Sequence, residues 1–177
     1  MVWRNQPLVV YHGTYDQAAG QMIRPAKSLP NAVDLSVGRS FLDFGKGFYT
    51  TTVLEQAVAW ANNRARRMRA SAVKTPYPVA AAVVAFEIDR TMLGRLESLV
   101  FLTDRDSAGF WELVEQCRQG AHPMHGRTRP YDVVYGPVTD WPRGGLLPGY
   151  TQISFHTEHA LSVLESPRIS HIGRPFV

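Results

Sequence analysis

The chain has 177 residues, 45% of them apolar and 19% charged, the size and balance of a single globular domain over 1–177. Its one cysteine, Cys117, excludes an internal disulfide and a thiolate metal site, and no apolar run reaches the ~18 residues of a membrane span. A net charge of +4, mostly from arginine, suits an anionic ligand such as a dinucleotide or nucleic acid, or an acidic protein partner.

Leu8 to Tyr11 predicts a first strand that ends at His12-Gly13. Thr14 and Gln17 have capping-box spacing, so a short helix is expected over 15–23. Residues 24–42, with Pro25, Pro30, Asn31 and Gly38, read as a surface loop able to lie against a ligand. Gly45 and Gly47 bracket Lys46, as glycines do where the backbone turns or closely approaches another group. Phe48 to Thr52 is aromatic and β-branched, a short strand. Thr52 and Glu55 repeat the capping box and start a helix at Val53 that runs to about Ala70. Ala57, Trp60 and Ala61 form its apolar face, and Arg64, Arg66, Arg67 and Arg69 its basic end. Thr75-Pro-Tyr-Pro78 breaks the chain before a buried strand, Val79 to Ile88.

Asp89 caps a short turn. Residues 96–102 are undecided, with an extended segment as one alternative. A helix over 104–119 buries Phe110, Leu113, Val114 and Cys117 and stops at Gly120. A polar loop follows to Arg129, then a strand over 131–135. Residues 139–150 hold two prolines and three glycines and read as a loop. Thr151 to His156 is a strand, Thr157 caps a helix to about Leu164, and 168–172 is the last strand. Strands and helices without a regular βαβ rhythm make the class α+β.

Three phrases lie along this pattern in order: Tyr11-His-Gly-Thr14, Asp43-Phe-Gly-Lys-Gly-Phe-Tyr49 running on to Trp60, and Gln152-Ile-Ser-Phe-His156. Together they resemble the ADP-ribosyltransferase superfamily, in its His-Tyr-acid/amide branch. The middle phrase is similar to one in poly(ADP-ribose) polymerases. The chain is also similar to uncharacterised bacterial ADP-ribosyltransferase-like toxins, in which the phrase Tyr131 to Asp140 and an aromatic helix like Phe110-Trp-Glu-Leu-Val114 recur. The resemblance covers residues 8 to 165.

What it implies is a split β-sandwich with flanking helices and NAD, the substrate, in the cleft. His12 would hold the 2′-hydroxyl of the nicotinamide ribose, and Gly13 would offer its main chain to the carboxamide. Thr14 would add a hydroxyl, although capping explains it equally. Gly47 and Phe48 would border the ligand, and Tyr49 would stack on the nicotinamide ring. Trp60 would form the second wall, or is an ordinary core residue. Ala57 stands where the polymerases have a carboxamide-binding Ser, so that contact is missing. Gln152 holds the catalytic position. Breaking the nicotinamide–ribose bond builds positive charge on the ribose, which a carboxylate there stabilises directly. A neutral Gln fixes the ribose and argues against chain elongation. Trp141 and Arg143, in the loop before it, are candidates for acceptor contact.

The expected function is therefore NAD-dependent mono-ADP-ribosyl transfer, a glycosyltransferase reaction without a metal, onto a protein or nucleic-acid acceptor. The catalytic set is His12, Tyr49 and Gln152. By the same resemblance the chain would be the toxin of a toxin–antitoxin pair, with a cognate antitoxin as partner. The alternatives are an NAD glycohydrolase, an RNA 2′-phosphotransferase, and a non-catalytic NAD- or ADP-ribose-binding module. Arg4 precedes no hydrophobic signal core, so a cytoplasmic location without membrane contact is expected.

Overall fold

The computed structural model describes residues 5–24, 31–71, 78–102 and 108–176. In chain order these form β1 (Leu8–Tyr15), α1 (Asp16–Ile23), a 3-10 turn (Leu35–Val37), β2 (Phe48–Thr50), α2 (Leu54–Ala70), β3 (Val79–Ile88), α3 (Arg90–Leu93), β4 (Ser98–Val100), α4 (Ala108–Arg118), β5 (Val133–Thr139), β6 (Leu146–Phe155), α5 (Glu158–Leu161) and β7 (Glu165–Phe176). The class is α+β. One sheet has the order β1-β3-β7 and the other β2-β6-β5-β4. All pairs are antiparallel except β4 with β5.

Side-chain alternation turns these sheets into layers. The even-numbered residues of β3, from Ala82 to Ile88, meet Val10, Phe48, Ile153 and Phe155 in a core between the two sheets. Odd-numbered Val79, Ala81 and Val83 pack under α2 against Ala57, Ala61 and Ala65. On the outer face of the second sheet, α4 buries Phe110, Leu113, Val114 and Cys117 against Phe44 and Val134. The layers run α2, sheet, sheet, α4. With apolar neighbours on both faces, β3 is buried almost throughout, which is why it reads as one continuous apolar run.

The two sheets meet at a seam. The Tyr11 N–H donates to Thr51 O at 2.8 Å and the Thr51 N–H to Tyr11 O at 3.0 Å, an isolated bridge between the edges β1 and β2. Gln56 of α2 strengthens it. Its Nε2 donates to Thr151 O at 2.8 Å, and its Oε1 accepts from Thr51 Oγ1 at 3.1 Å and from Thr151 N at 3.3 Å.

Several expectations need correction. β1 continues through His12-Gly13-Thr14 to Tyr15, because β3 offers it a partner at every residue to Ala81. Thr14 therefore caps nothing, and Tyr15 precedes α1 without a side-chain cap. Nor does Thr52 cap α2. Val53 occupies that position, and its N–H donates instead to Thr51 Oγ1 at 3.2 Å. The segment 139–150 is largely a hairpin, with β5 reaching Thr139 and β6 starting at Leu146. Its register jumps from Pro137↔Thr151 to Thr139↔Leu146. Pro148 and Gly149 fall in that unpaired stretch, where no ladder donor is needed. The last strand is longer than expected, and α5 is shorter. Asp89, Thr157 and the buried face of α4 are as expected. Pro25, Pro30, the break at Thr75-Pro-Tyr-Pro78 except Pro78, and the start of the helix expected from 104 lie outside the described residues.

Candidate functional site

His12 lies beside the seam, on the face of β1 that points between the sheets. Its ring is stacked on Phe48 at 4.4 Å and 27°. Its Nδ1 lies 2.6 Å from Tyr49 O. A carbonyl only accepts, so Nδ1 carries the proton and Nε2 presents a lone pair. Burial holds the imidazole neutral, with its pKa lowered to about 4; the Tyr49 bond opposes that shift and the nearby Arg64 charge adds to it. Nε2 has no hydrogen-bond partner among the described residues, and it is not a fully buried atom. As the unprotonated nitrogen it remains an acceptor.

Gly13 serves two neighbours. A Cβ there would stand 2.2 Å from Ala57 O and 2.8 Å from Ala61 N, so only glycine lets α2 sit on β1. The main chain of Gly13 points the other way. Tyr11 uses its N–H and C=O on Thr51, so the odd residues of β1 turn their polar groups away from β3. Gly13 is the next odd residue, and its N–H and C=O emerge on that same edge. Thr14 Oγ1, on the His12 face, is the one buried side-chain polar atom without a partner among the described residues.

Tyr49 lies on the opposite face of β2 from Phe48, packed against the core beneath α4. Its hydroxyl donates to Gly45 O at 2.7 Å and accepts from Phe44 N at 3.1 Å. Burial pushes its pKa upward, so the phenol keeps the proton it donates. Tyr49 thus ties the 43–47 loop to β2, while its carbonyl fixes His12. Phe48 is a core residue that backs His12. Gly47 makes room for His156, whose ring a Cβ would meet at 2.7 Å. His156 donates through Nδ1 to Lys46 O at 2.9 Å and accepts at Nε2 from Ser154 Oγ at 2.7 Å; burial lowers its pKa to about 4. Trp60 is 40% exposed, which removes it from the core, and its Cβ lies 3.1 Å from the Cβ position of Gly13.

Gln152 shares the Tyr49 face of the second sheet. Continuing the β2–β6 register one residue beyond Thr50↔Ile153 sets Gln152 opposite Thr51, which itself bridges to Tyr11. Positions 11, 51 and 152 form a row across the seam, about 10 Å from end to end at ordinary strand spacing. The structure joins His12 to the main chain of Tyr49, whereas Gln152 lies two strands from β1 and on the face of the second sheet away from the His12–Phe48 stack. Gln152 Nε2 donates to Asp43 Oδ2 at 2.7 Å and to Pro137 O at 3.0 Å. Its Oε1 has no partner among the described residues and keeps contact with solvent. Asp43, 3% exposed, also accepts from Arg118 Nε at 3.0 Å and Nη2 at 2.5 Å, Thr139 N at 3.0 Å and Thr139 Oγ1 at 2.6 Å. Under this loop Cys117 is fully buried, its thiol pushed up to about 12 by burial and then by the Asp43 charge.

Asp43, Gln56, Arg118 and Thr139 were missed as site residues. Asp43 had a signal, a carboxylate beside the Gly-Lys-Gly phrase; Arg118 and Thr139 are distant in sequence and had none. Arg64 of the basic helix end stands nearer than expected, close enough to act on His12 and set among Tyr15, Arg39 and Arg67. Trp141 is 40% exposed, with Arg118 5.8 Å from its ring. Two cavities lie nearby, of about 210 Å³ against Lys46, His122 and His156 and about 320 Å³ against Leu8, Val100 and Tyr135. Neither takes in His12 or Gln152. Among the described residues no three His, Cys, Asp or Glu side chains are grouped to hold a metal, and no helix is long and apolar enough to cross a membrane.

No curated protein matches this chain. Residues 8–150 match the model of DUF3990, a family described as proteins of unknown function. The match runs from β1 into β6, takes in His12, Gly13, Asp43, Tyr49 and Trp60, and stops two residues before Gln152. Spanning most of the chain, it shows that the protein belongs to the DUF3990 family.

Proposed function

We propose that the protein is an NAD-dependent mono-ADP-ribosyltransferase with an ADP-ribosyltransferase-like sandwich fold. One observation carries the reading: two acceptors, His12 Nε2 and Gln152 Oε1, each without a partner among the described residues while its other end is bonded. Hydrogen-bond acceptors suit the hydroxyls of a ribose. NAD fits the remaining groups. The outward N–H and C=O of Gly13 match the two ends of a carboxamide, whereas Thr14, wholly buried, is withdrawn from the set of ligand contacts. Arg64, facing Arg39 and Arg67, gives the site the positive field a pyrophosphate needs.

In this reading the bond between ribose C1 and the nicotinamide nitrogen breaks, and nicotinamide leaves as a neutral base with the electron pair. An acceptor nucleophile bonds to C1 and gives up its proton. His12 and Gln152 orient the ribose, and the Oε1 dipole faces the charge that builds there. The acceptor is a macromolecule, and a neutralising partner protein belongs to the same proposal.

The test is release of nicotinamide from NAD, followed with and without cell extract, together with transfer of label to macromolecules. Release and labelling are expected, and both should fall at least a hundredfold in His12→Ala. Release without labelling makes water the acceptor. Binding of NAD without release makes the chain a binding module. Neither binding nor release overturns the reading.

A further inference from the structure

Asp43 is nearly buried, yet nothing in the reaction above uses it. It accepts five hydrogen bonds, three on Oδ1 and two on Oδ2, and every group that faces it is a donor. Gln152 supplies one of them. The second hydrogen of the same amide goes to Pro137 O. Both neighbours of that NH2 are pure acceptors, so the amide has one orientation; flipped, Oε1 would meet a carboxylate and a carbonyl. A glutamate at 152 would press one carboxylate against another 2.7 Å away, where two charges cannot both persist.

We infer that Asp43 is the positioning residue of the site: it fixes residue 152 as an amide and turns Oε1 outward. The catalytic part of this inference rests on the reading given above. The negative charge expected at position 152 then stands one layer behind it. Asp43 polarises the Gln152 amide through Nε2 and so strengthens the negative end that meets the ribose. Arg118, bonded to Oδ1 and to Phe41 O at 3.1 Å, balances the charge.

A swap tests this. Gln152→Glu alone should lower the melting temperature by about 10 °C at neutral pH and cut nicotinamide release tenfold or more. Adding Asp43→Asn to Gln152→Glu restores one carboxylate and one amide across the same contact, with Arg118 still balanced. The double variant should recover part of the lost melting temperature and of the lost rate, the rest being lost where Pro137 O and Thr139 N–H now face a carboxylate and an NH2. A Gln152→Glu protein that melts like the parent, or a double variant no better than Gln152→Glu, overturns the inference. If Gln152→Glu does not fold, the parent protein decides. The Gln152 side-chain amide protons should exchange slowly with solvent and change shift in Asp43→Asn; exchange as fast as that of a surface glutamine overturns it. Melting and exchange are read without NAD, so a parent that releases no nicotinamide fails the functional reading while these still judge the Asp43–Gln152 pairing.

Discussion

His12 and His156 are both held neutral, and the two share a consequence for stability. Each has its pKa lowered by burial to about 4, while an unfolded histidine titrates near 6.5. Between those values the unfolded chain binds more protons than the folded one, so stability falls as the pH drops. The contribution is complete above about pH 6.5, and amounts to roughly 3 kcal/mol for each ring. Urea unfolding should show a free energy that declines from pH 6.5 to about 4 and then loses this slope, with a shallower decline in His156→Gln. A flat profile would mean that neither ring is buried as described. His12 was legible in the sequence as a residue, but its tautomer was not. That depends on the carbonyl of Tyr49, which lies 37 positions away. Tyr49 was legible as an aromatic of the site, yet its hydroxyl serves the 43–47 loop, and no local pattern discloses that.

Helix α2 shows how an element can be predicted correctly and explained wrongly. Its extent followed from the periodicity of Ala57 and Ala61, but the Thr52–Glu55 cap did not form: Val53 takes the capping position and its N–H goes to Thr51 Oγ1. The seat of the helix on β1 depends on Gly13. Gly13→Ala should cost about 3 kcal/mol, since the added carbon meets backbone atoms that cannot swing aside. Gly20 of α1 is the internal control. A Cβ there meets nothing within 4 Å, so Gly20→Ala should stabilise by about 1 kcal/mol. Chemical denaturation of the two variants checks both signs. The hairpin of β5 and β6 failed in the opposite way. Its prolines and glycines hid a paired structure, because Pro142, Gly144 and Gly145 make the connection and Pro148 and Gly149 sit where the register slips.

At the scale of the molecule, the α+β class and the buried β3 were readable from the residues, whereas the division into two sheets was expected only from the resemblance. Nothing local shows that β1 pairs with β3 or that β2 pairs with β6; those pairings come from which apolar faces can close on each other. The row across the seam has the same origin. It joins residues from three separated phrases, and only the closed fold sets them side by side. Asp43 completes that assembly by connecting the loop before β2, the end of α4, the end of β5 and the middle of β6.

The burial of Cys117 makes the chain its own reporter. Its sulfur lies under Gly45, behind the loop that carries Asp43, and is the chain's one thiol. A thiol-reactive dye attaches only when the 43–47 loop lifts or α4 comes away, so labelling reports those openings. Labelling of the parent should be far slower than that of a free thiol, faster in Asp43→Asn, and slower again with NAD if the ligand clamps the loop. Dye uptake at the free-thiol rate would show that the loop stands open in solution.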